Sequence, residues 1–316
     1  MQLNTNFFIQ ITFLENKNDT GDNMITGEEP VSLKKQKEYL HYLSITPEKT
    51  SDYSIVNING WAKEYQLSWT FTDQLVWLKQ VHAEPVFWAP IGNWHHVDWP
   101  SVFKQMDLPV RFTRVPEKLL EIWKGCGSLV LDIVEARDHW DYVYSTTDLI
   151  HLKGNRFHKK KNLLNQFVKK NDYTYLSLNA ERIDETLAMQ EDWCTWRDCE
   201  SDSTLASENR AIANVLDAYR LYDNICGGVI CVNQLITAYT VAEYFSDDMI
   251  IIHFEKGCPM YKGAYQAINQ LFLSHDANNH KWVNREQDLG DPGLRKAKMT
   301  YHPSYFLKKF SVNVTV

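Results

Sequence analysis

Residues 152–170 (LKGNRFHKKKNLLNQFVKK) are rich in positive charge, with seven Lys and Arg and no acid from Lys153 to Lys170. Drawn as a helix from Arg156, the segment places apolar side chains on one side and a polar stripe on the other. Charge and several hydrogen-bond donors in fixed register suit phosphate groups. A solvated face of an amphipathic connecting helix is the alternative, but cations without acids forgo the stabilising i,i+4 ion pairs. We therefore predict that a polyanion is bound by His158, Lys159, Lys160, Lys161 and Asn162.

A second candidate site lies in residues 282–301 (WVNREQDLGDPGLRKAKMTY). Asp291 is a suitable N-cap and Pro292 a favoured first helical residue, so a helix should begin here and present free N–H groups to an anion. A plain capped turn explains the Asp-Pro pair equally well, although it does not explain the polar residues around it. Those residues are the predicted ligand-binding set Asn284, Arg285, Asp288 and Arg295.

Positive charge is concentrated in two stretches, which hold fourteen of the 33 Lys and Arg residues. The chain of 316 residues has a formal net charge of −7, yet Lys281 to Lys309 alone holds seven basic residues against three acids. The remainder is therefore acidic. This distribution predicts one localised anionic ligand and excludes a protein that coats nucleic acid over its whole surface.

Composition indicates a globular protein of two domains, with 44% hydrophobic and 23% charged residues. The apolar run at residues 7–14 has no Lys or Arg before it and no small-residue cleavage site after it, so no export signal is predicted. Residues 224–242 lack charge but contain Gly227-Gly228 and Asn233-Gln234, which favours a buried β-hairpin over a membrane span. We predict a cytoplasmic protein without a transmembrane segment. The sequence favours no oligomeric state.

The six cysteines form no CxxC pair, although Cys194/Cys199 and Cys226/Cys231 are each spaced C-x4-C. We interpret them as scattered buried thiols in a reducing compartment. Cys258 has no legible His–Asp partner and is interpreted as buried or incidental. His95-His96 with Asp98 lacks further spaced ligands, so no metal site is predicted.

The hydrophobic pattern predicts the elements that position these residues. In the first half we expect a helix over 31–43, strands at 53–58, 66–71, 75–80 and 85–88, a helix at 101–106, a strand at 110–113, a helix opened by Pro116, and strands at 129–135 and 142–144. In the second half we expect a strand at 173–178, helices at 183–199 and 204–223, strands at 229–232, 236–243 and 249–254, a helix at 261–273, a strand at 282–284, a helix from Pro292 and a strand at 306–314.

The order in the second half is typical of the GNAT (N-acyltransferase) fold, and the first half repeats its later part. We predict an α/β (α+β) protein of two tandem GNAT-like acyl-CoA N-acyltransferase folds, with mixed, mostly antiparallel sheets flanked by helices. The predicted domains are a flexible arm (1–30), an N-terminal GNAT-like domain (31–152) and a C-terminal GNAT-like domain (153–316) opened by the basic helix.

The loop after the third strand of the second unit, residues 254–264 (FEKGCPMYKGA), is where this fold grips a CoA pyrophosphate. CoA-dependent enzymes usually carry Arg/Gln-x-x-Gly-x-Gly/Ala there. Residues 260–265 lack the leading Arg or Gln and the final Gly or Ala, which makes CoA the less favoured cofactor. Lys262 and Gly263 remain candidate ligand-binding residues.

Two longer segments, DYVYSTTDLIHLKGNRFHKKKNLLNQF and VNREQDLGDPGLRKAKMTYHPSYFLKKF, resemble a family of soluble bacterial proteins, most of them uncharacterised. That family is related to the C-terminal catalytic domain of phosphatidylglycerol lysyltransferase. The resemblance implies tandem GNAT-like domains and transfer of an aminoacyl group from aminoacyl-tRNA. The membrane-embedded half of those relatives has no counterpart in this sequence, so the resemblance does not extend to a phospholipid acceptor.

The favoured function is acyl or aminoacyl transfer to an amine or hydroxyl, with aminoacyl-tRNA as donor. Backbone N–H groups near Phe254, where the third and fourth core strands diverge, would hold the oxyanion. Glu255 is the candidate base, and Lys298 or Tyr301 the candidate acid. Each of them could equally be a salt-bridged surface residue. The alternatives are a non-catalytic binding protein for tRNA or another anion, and an acyl-CoA-dependent N-acyltransferase.

Overall fold

The computed structural model of the chain describes residues 27–315. Its first half contains β1 (Glu29–Pro30), α1 (Gln36–Ser44), α2 (Ile55–Tyr65), β2 (Ser68–Phe71), β3 (Leu75–Gln80), β4 (Val86–Trp88), β5 (Ile91–Gly92), α3 (Trp99–Lys104), β6 (Val110–Pro116), α4 (Glu117–Gly125), β7 (Val130–Glu135), β8 (Asp141–Ser145) and α5 (Thr146–His151). The second half contains α6 (His158–Lys170), β9 (Tyr173–Ser177), α7 (Ile183–Arg197), α8 (Ser203–Asp217), β10 (Ile225–Val232), β11 (Leu235–Ser246), β12 (Met249–Gly257), α9 (Ala264–Asp276), β13 (Trp282–Asn284), α10 (Pro292–Met299), β14 (Tyr305–Leu307) and β15 (Lys309–Thr315).

These strands form two sheets of the same design. The first has the order β1-β2-β3-β4-β6-β15-β7, with β5 paired to β3, and the second has the order β14-β8-β13-β12-β11-β10-β9. Each contains an antiparallel meander whose last strand pairs in parallel with the strand that follows the next helix, β4 with β6 and β12 with β13. The other neighbours are antiparallel. This is the tandem GNAT-like α/β arrangement that the order of elements predicts.

The two sheets exchange strands across residue 152. Strand β8, from the first half, pairs with β13 and β14 in the second sheet. Strand β15, at the other end of the chain, pairs with β6 and β7 in the first. The predicted last strand at 306–314 is therefore two strands, β14 and β15, in different sheets. The domain boundary at residue 152 stays a prediction, and the pairings of β8 and β15 with strands of the other half cross it.

The strand predicted at 53–58 is wrong, because this segment begins a helix. The Ser54 hydroxyl accepts hydrogen bonds from the backbone N–H groups of Val56 and Asn57 and caps α2. The β-branched residues of the segment favour a strand locally, yet the helix buries Ile55, Val56 and Ile58 in the core. Gly60 lies so close to α8 that an added Cβ would meet Val215 at 2.6 Å. Tertiary packing decides the outcome here over local propensity.

Three other predictions need correction. Cys194 and Cys199 form a disulfide between the end of α7 and the turn before α8, so the prediction of buried thiols is wrong for this pair. The other four are free thiols, of which Cys226 and Cys258 are buried and Cys126 and Cys231 are partly exposed. Helix α8 ends at Asp217, well before residue 223. Of the predicted arm, residues 1–26 lie outside the described residues, while Glu29 and Pro30 pair with β2.

The predicted hairpin of residues 224–242 is confirmed as β10 and β11. Within residues 27–315 no helix combines the length and apolar character needed to cross a membrane. The main core lies under both sheets and includes a set of stacked and edge-on aromatic rings in the first unit, Trp77, Trp99, Phe103, Phe112 and Trp123.

Candidate active site

Strands β12 and β13 diverge in the middle of the second sheet. Their parallel pairing ends at Ile251 and Asn284, while β12 continues to Gly257. The edge of β12 beyond Ile251 therefore has no partner strand, as the sequence predicts for the neighbourhood of Phe254. A β-bulge also falls here, because Ala242 pairs with Ile252 and Val241 with Phe254, leaving His253 as the extra residue.

Glu255 lies two residues beyond the bulge and faces helix α9. One carboxylate oxygen accepts a hydrogen bond from Arg285 at 2.9 Å and the other from the Asn269 amide at 3.0 Å. Only 8% of its side chain is exposed. Both carboxylate oxygens of Glu255 therefore already accept a hydrogen bond. The contact visible in the structure is the one that orients Arg285.

Arg285 is the first residue after β13. Its guanidinium lies 4.8 Å from the centre of the Tyr301 ring and 5.9 Å from that of Tyr144. Burial works to lower the pKa of Arg285, but the charge of Glu255 outweighs it and the pKa lies above its ordinary value. The Tyr301 hydroxyl also contacts the guanidinium and contributes to the raised pKa of Arg285, while the buried nitrogen Nη1 has no well-aligned hydrogen-bond acceptor among residues 27–315. A buried donor without a partner costs free energy, and an arriving ligand oxygen would recover it.

Lys160 approaches the same aromatic ring from helix α6. Its ammonium lies 4.1 Å from the centre of the Tyr301 ring, so Lys160 and Arg285 share one ring. Burial, and after it the charge of Arg285, lower the pKa of Lys160 to about 8, with Glu255 opposing. The other residues predicted with it on this helix, His158, Lys159, Lys161 and Asn162, are exposed to solvent.

Helix α6 is held over Tyr301 by contacts on both sides of Lys160. At its start, the Phe157 ring packs edge-on against His302, with ring centres 5.5 Å apart. Further along, Gly263 has a φ of +95° and caps α9 at a point where an added Cβ would meet the Leu163 carbonyl oxygen at 2.2 Å. The role of Gly263 visible here is therefore close helix packing. Lys262 beside it is exposed.

Lys298 and Tyr301 form the third side of the site. The Lys298 ammonium donates to the backbone carbonyl oxygens of Arg285, at 2.5 Å, and Gln287. Burial lowers the pKa of Lys298 to about 8, with Glu286 opposing. Tyr301 is 6% exposed and its hydroxyl accepts from the Gln266 amide at 3.4 Å. Burial raises the pKa of Tyr301.

The structure thus brings five of the predicted residues together, Lys160, Glu255, Arg285, Lys298 and Tyr301. Asp288 and Arg295 lie beside this cluster and bind each other, because Arg295 donates to both Asp288 oxygens at 2.7 and 2.9 Å. Burial works to raise the pKa of Asp288, but hydrogen bonds from Arg295 and Tyr142 outweigh it and lower the pKa to about 2. This pair ties the loop after β13 to helix α10.

The loop 284–288 is anchored by residues of the first unit and of β8. Buried Asn284 donates to Asp141 at 2.9 Å. Gln287 donates to the Ser51 hydroxyl at 3.0 Å and to Asp52 at 3.1 Å. The position of Arg285 is therefore set by contacts between the two units.

A buried cluster centred on His253 completes this anchor. Its Nδ1 lies 2.8 Å from Glu286 and its Nε2 3.3 Å from Glu243, and the Ser54 hydroxyl donates to Glu243 as well. Burial works to lower the pKa of His253, but hydrogen bonds with Glu243 and Glu286 outweigh it and raise the pKa to about 9. Asn57 of α2 also donates to Glu286, at 2.7 Å. The sequence analysis missed all five residues of this cluster, since a single histidine in an apolar strand carries no signal of its partners.

A second buried charge cluster lies along the same interface. The Lys309 ammonium, fully buried, pairs with Asp141 at 2.6 Å and with Asp52. Arg114 pairs with Asp52 at 2.8 Å. No group of three or more His, Cys, Asp and Glu in the described part of the chain could hold a metal ion.

Two solved structures share this fold over most of their length. A conserved protein of unknown function from Bacteroides thetaiotaomicron VPI-5482 superposes with a TM-score of 0.84 at 25% identity, covering 91% of this chain and 99% of that one. L-PGS from Bacillus licheniformis superposes with a TM-score of 0.61 at 12% identity, covering 91% and 93%. At the second identity the likeness concerns the fold.

Among curated proteins, an uncharacterised protein of Mycoplasmoides gallisepticum is 27% identical over 187 residues. The match covers 55% of this chain and 56% of that protein, so it spans little more than half of the relative.

A family model described as phosphatidylglycerol lysyltransferase, C-terminal, matches residues 43–313. The match runs through both sheets and includes every residue of the cluster around Tyr301. Since it covers nearly all of the described residues, the chain belongs to the phosphatidylglycerol lysyltransferase C-terminal family.

Proposed function

We propose that this protein transfers an aminoacyl group from aminoacyl-tRNA to an amine or hydroxyl acceptor where β12 and β13 diverge. The observation that carries the proposal is Arg285 Nη1, a buried donor with no well-aligned acceptor in the described part of the chain, one residue beyond the last paired residue of β13. Glu255 fixes the other side of the guanidinium.

The proposed reaction is direct attack on the aminoacyl ester. The acceptor nitrogen or oxygen bonds to the carbonyl carbon, and the bond from that carbon to the ribose oxygen breaks. Negative charge develops on the carbonyl oxygen in between, where Arg285 Nη1 and backbone N–H groups at the open edge of β12 near Phe254 would stabilise it. Glu255 orients Arg285, and Lys298 holds the loop through the carbonyls of Arg285 and Gln287, which revises the acid and base roles expected for these two side chains.

The tRNA donor is supported by the outer face of α6. Lys159, Lys161, Lys169 and Lys170 are exposed, and none forms an ion pair within residues 27–315. Cations without intramolecular partners can contact phosphates at little cost in lost interactions. The face adjoins the site, because Lys160 lies on the inner side of the same helix. We place the reaction in the cytoplasm, where aminoacyl-tRNA is present.

The family name makes lysine and phosphatidylglycerol the first donor group and acceptor to test. The experiment incubates the protein with radiolabelled lysyl-tRNA and either phosphatidylglycerol micelles or soluble amines, and follows loss of the ester and appearance of product. Other charged tRNAs are then compared. We expect acceptor-dependent transfer from at least one of them.

Arg285→Met tests the residue that carries the proposal. Loss of one oxyanion donor should lower kcat about 100-fold or more. Arg111→Met is the matched control, because Arg111 forms an exposed ion pair with Glu84 in the first unit. Equal rates for Arg285→Met and the wild-type protein, or no transfer from any charged tRNA, would contradict the proposal.

A non-catalytic tRNA-binding protein is the rival function. It is favoured by the satisfied state of Glu255 and Lys298, whose polar atoms already have partners in the chain. It predicts saturable binding of charged tRNA with an ester half-life equal to that in buffer. The transfer experiment separates the two.

A further inference from the structure

Lys160 differs from the other cations of α6 in its surroundings. It is half-buried, and its ammonium makes no hydrogen bond or ion pair in the part of the chain that the structure describes. The nearby carboxylate, Glu255, is occupied on both oxygens by Arg285 and Asn269. Lys160 is therefore a half-buried cation that has no carboxylate partner of its own in the described residues.

The other polar groups around the Tyr301 ring are poorly suited to proton exchange near neutral pH. Arg285 stays charged, and its pKa lies above the ordinary value after the charge of Glu255 outweighs burial. Burial raises the pKa values of Tyr301 and Tyr144. From α9, Gln266 and Asn269 face the site and do not titrate.

Two further groups are already bound. Lys298 donates to two backbone carbonyls of the loop and would have to break both contacts to act. Glu255 is held as an ion pair. Lys160 is left as the group that can gain and lose a proton without breaking a hydrogen bond or ion pair within residues 27–315, and burial beside Arg285 lowers its pKa to about 8. Its position is fixed by the Phe157–His302 and Leu163–Gly263 contacts of α6.

We propose that Lys160 is the general base and then the general acid of the transfer, a role that rests on the proposed function. Its neutral amine takes the proton from the acceptor N–H or O–H as the acceptor bonds to the ester carbonyl carbon. The resulting ammonium gives that proton to the ribose oxygen as the carbon–oxygen bond breaks. Lys160 is neutral again at the end, and the products are the acylated acceptor and the free ribose hydroxyl of the tRNA.

The test compares wild-type protein with Lys160→Arg and with Lys104→Arg. Arginine keeps the positive charge but does not deprotonate near neutral pH. We expect Lys160→Arg to lower kcat about 100-fold or more, with the Kd for charged tRNA within twofold of wild type. Lys104 is an exposed residue of α3, so Lys104→Arg should keep wild-type kcat.

The dependence of kcat on pH distinguishes proton transfer by Lys160 from a structural role, because a structural role would not alter this dependence. Wild-type kcat should rise with pH through an inflection near pH 8, following the pKa of Lys160, and this inflection should be missing in Lys160→Arg. If Lys160→Arg does not fold, as judged by a melting curve, Lys160→Gln replaces it with the same expectations for kcat and profile.

The outcomes separate the two proposals. Transfer by Lys160→Arg, or by Lys160→Gln in its place, at the wild-type rate overturns the role of Lys160 and leaves aminoacyl transfer standing. A lowered rate with the inflection retained also overturns it, since another group then exchanges the proton. No transfer by the wild-type protein with any charged tRNA overturns the proposed function and the role of Lys160 together.

Discussion

In each unit two neighbouring parallel strands separate after a short pairing, and the two units fill the resulting gap differently. In the first sheet, β4 and β6 part after Thr113, and the next residue is Arg114. In the second, β12 and β13 part after Asn284, and the next residue is Arg285. Each arginine thus directly follows the last residue paired in parallel in its unit, although Arg114 lies within β6 and Arg285 lies just beyond the end of β13.

Arg114 is closed into the core. It is 7% exposed, pairs with Asp52 at 2.8 Å and stacks over Trp88 at 3.8 Å. Asp52 also pairs with Lys309 of the exchanged strand β15. The first divergence is therefore filled by aromatic rings and by charges that neutralise one another.

Arg285 differs in what surrounds its unsatisfied nitrogen, since the poorly aligned donor of Arg114, Nε, still lies 2.8 Å from a carboxylate of Asp52. The Nη1 of Arg285 lacks a well-aligned acceptor within residues 27–315, and Lys160 lies over the same ring without a carboxylate of its own. This contrast is the basis for our proposal that the second unit binds the ligand while the first unit supports the structure. The loop of Arg285 is in turn fixed by Ser51, Asp52 and Asn57 of the first unit.

The largest expected effect is a loss of stability when Lys309, which belongs to the buried charge cluster at the first divergence, is changed to Met. This change leaves Asp52 and Asp141 buried without their shared cation, which should cost about 3–5 kcal/mol of unfolding free energy. Lys308→Met is the matched control, because Lys308 forms an exposed pair with Glu117 and should cost no more than about 1 kcal/mol. Urea unfolding measures both. Similar small losses for the two variants would show that the buried cluster contributes little.

The stabilisation that the His253 cluster gives to the loop of Arg285 should depend on pH. The pKa of His253 is about 9 in the folded protein and about 6.5 in the unfolded chain, so the stabilisation is fully present below about pH 6.5 and is lost as pH rises through 9. The shift corresponds to about 3 kcal/mol. The unfolding free energy of wild type relative to His253→Gln should therefore shrink by about that amount from pH 6 to pH 10. A difference that stays constant over this range would mean that His253 folds in its neutral form.

The same conservative change at both arginines tests the comparison directly. Arg285→Lys removes the Nη1 donor and should lower kcat about 100-fold, while the unfolding free energy changes by about 1 kcal/mol. Arg114→Lys loses the stacked, planar contact with Trp88 and Asp52, so we expect it to act mainly on stability, by about 1–3 kcal/mol. Transfer rates and urea unfolding are measured for both variants. If both lower kcat alike, the two units are not divided as we describe.

Much of the fold could be predicted from sequence because hydrophobic periodicity is local. Nearly all strands and helices follow it, and residues 53–58 fail where the Ser54 cap and packing on α8 override the β-branched pattern. The exchange of β8 and β15 could not be predicted, since periodicity gives a strand but not the sheet it joins.

The candidate site, like the fold, could be predicted only in part from the sequence. The residue types of Glu255, Arg285 and Tyr301 marked them for chemistry, but the free Nη1 of Arg285 depends on distant partners. Lys160 was grouped with its exposed neighbours, although helical spacing holds a signal that could have separated it. It lies four residues before Leu164 and seven before Phe167, on the apolar face of α6.

The smallest expected effect concerns the outer face of α6, which should bind tRNA if the second unit alone carries the ligand. The variant Lys159→Ala/Lys161→Ala removes two exposed cations and leaves Lys160 in place. Binding releases fewer counterions for each phosphate contact that is lost. The affinity for tRNA should therefore fall, and the slope of log K against log salt should flatten by about 1 per lost contact. The unfolding free energy should change by no more than about 0.5 kcal/mol, because both side chains are solvated. The matched control is Lys34→Ala/Lys37→Ala, which removes the same charge from exposed positions of the first unit. Equal losses from the two pairs would show that tRNA responds only to net charge, whereas a loss confined to the α6 pair assigns the polyanion to the second unit, beside the open divergence and away from the closed one.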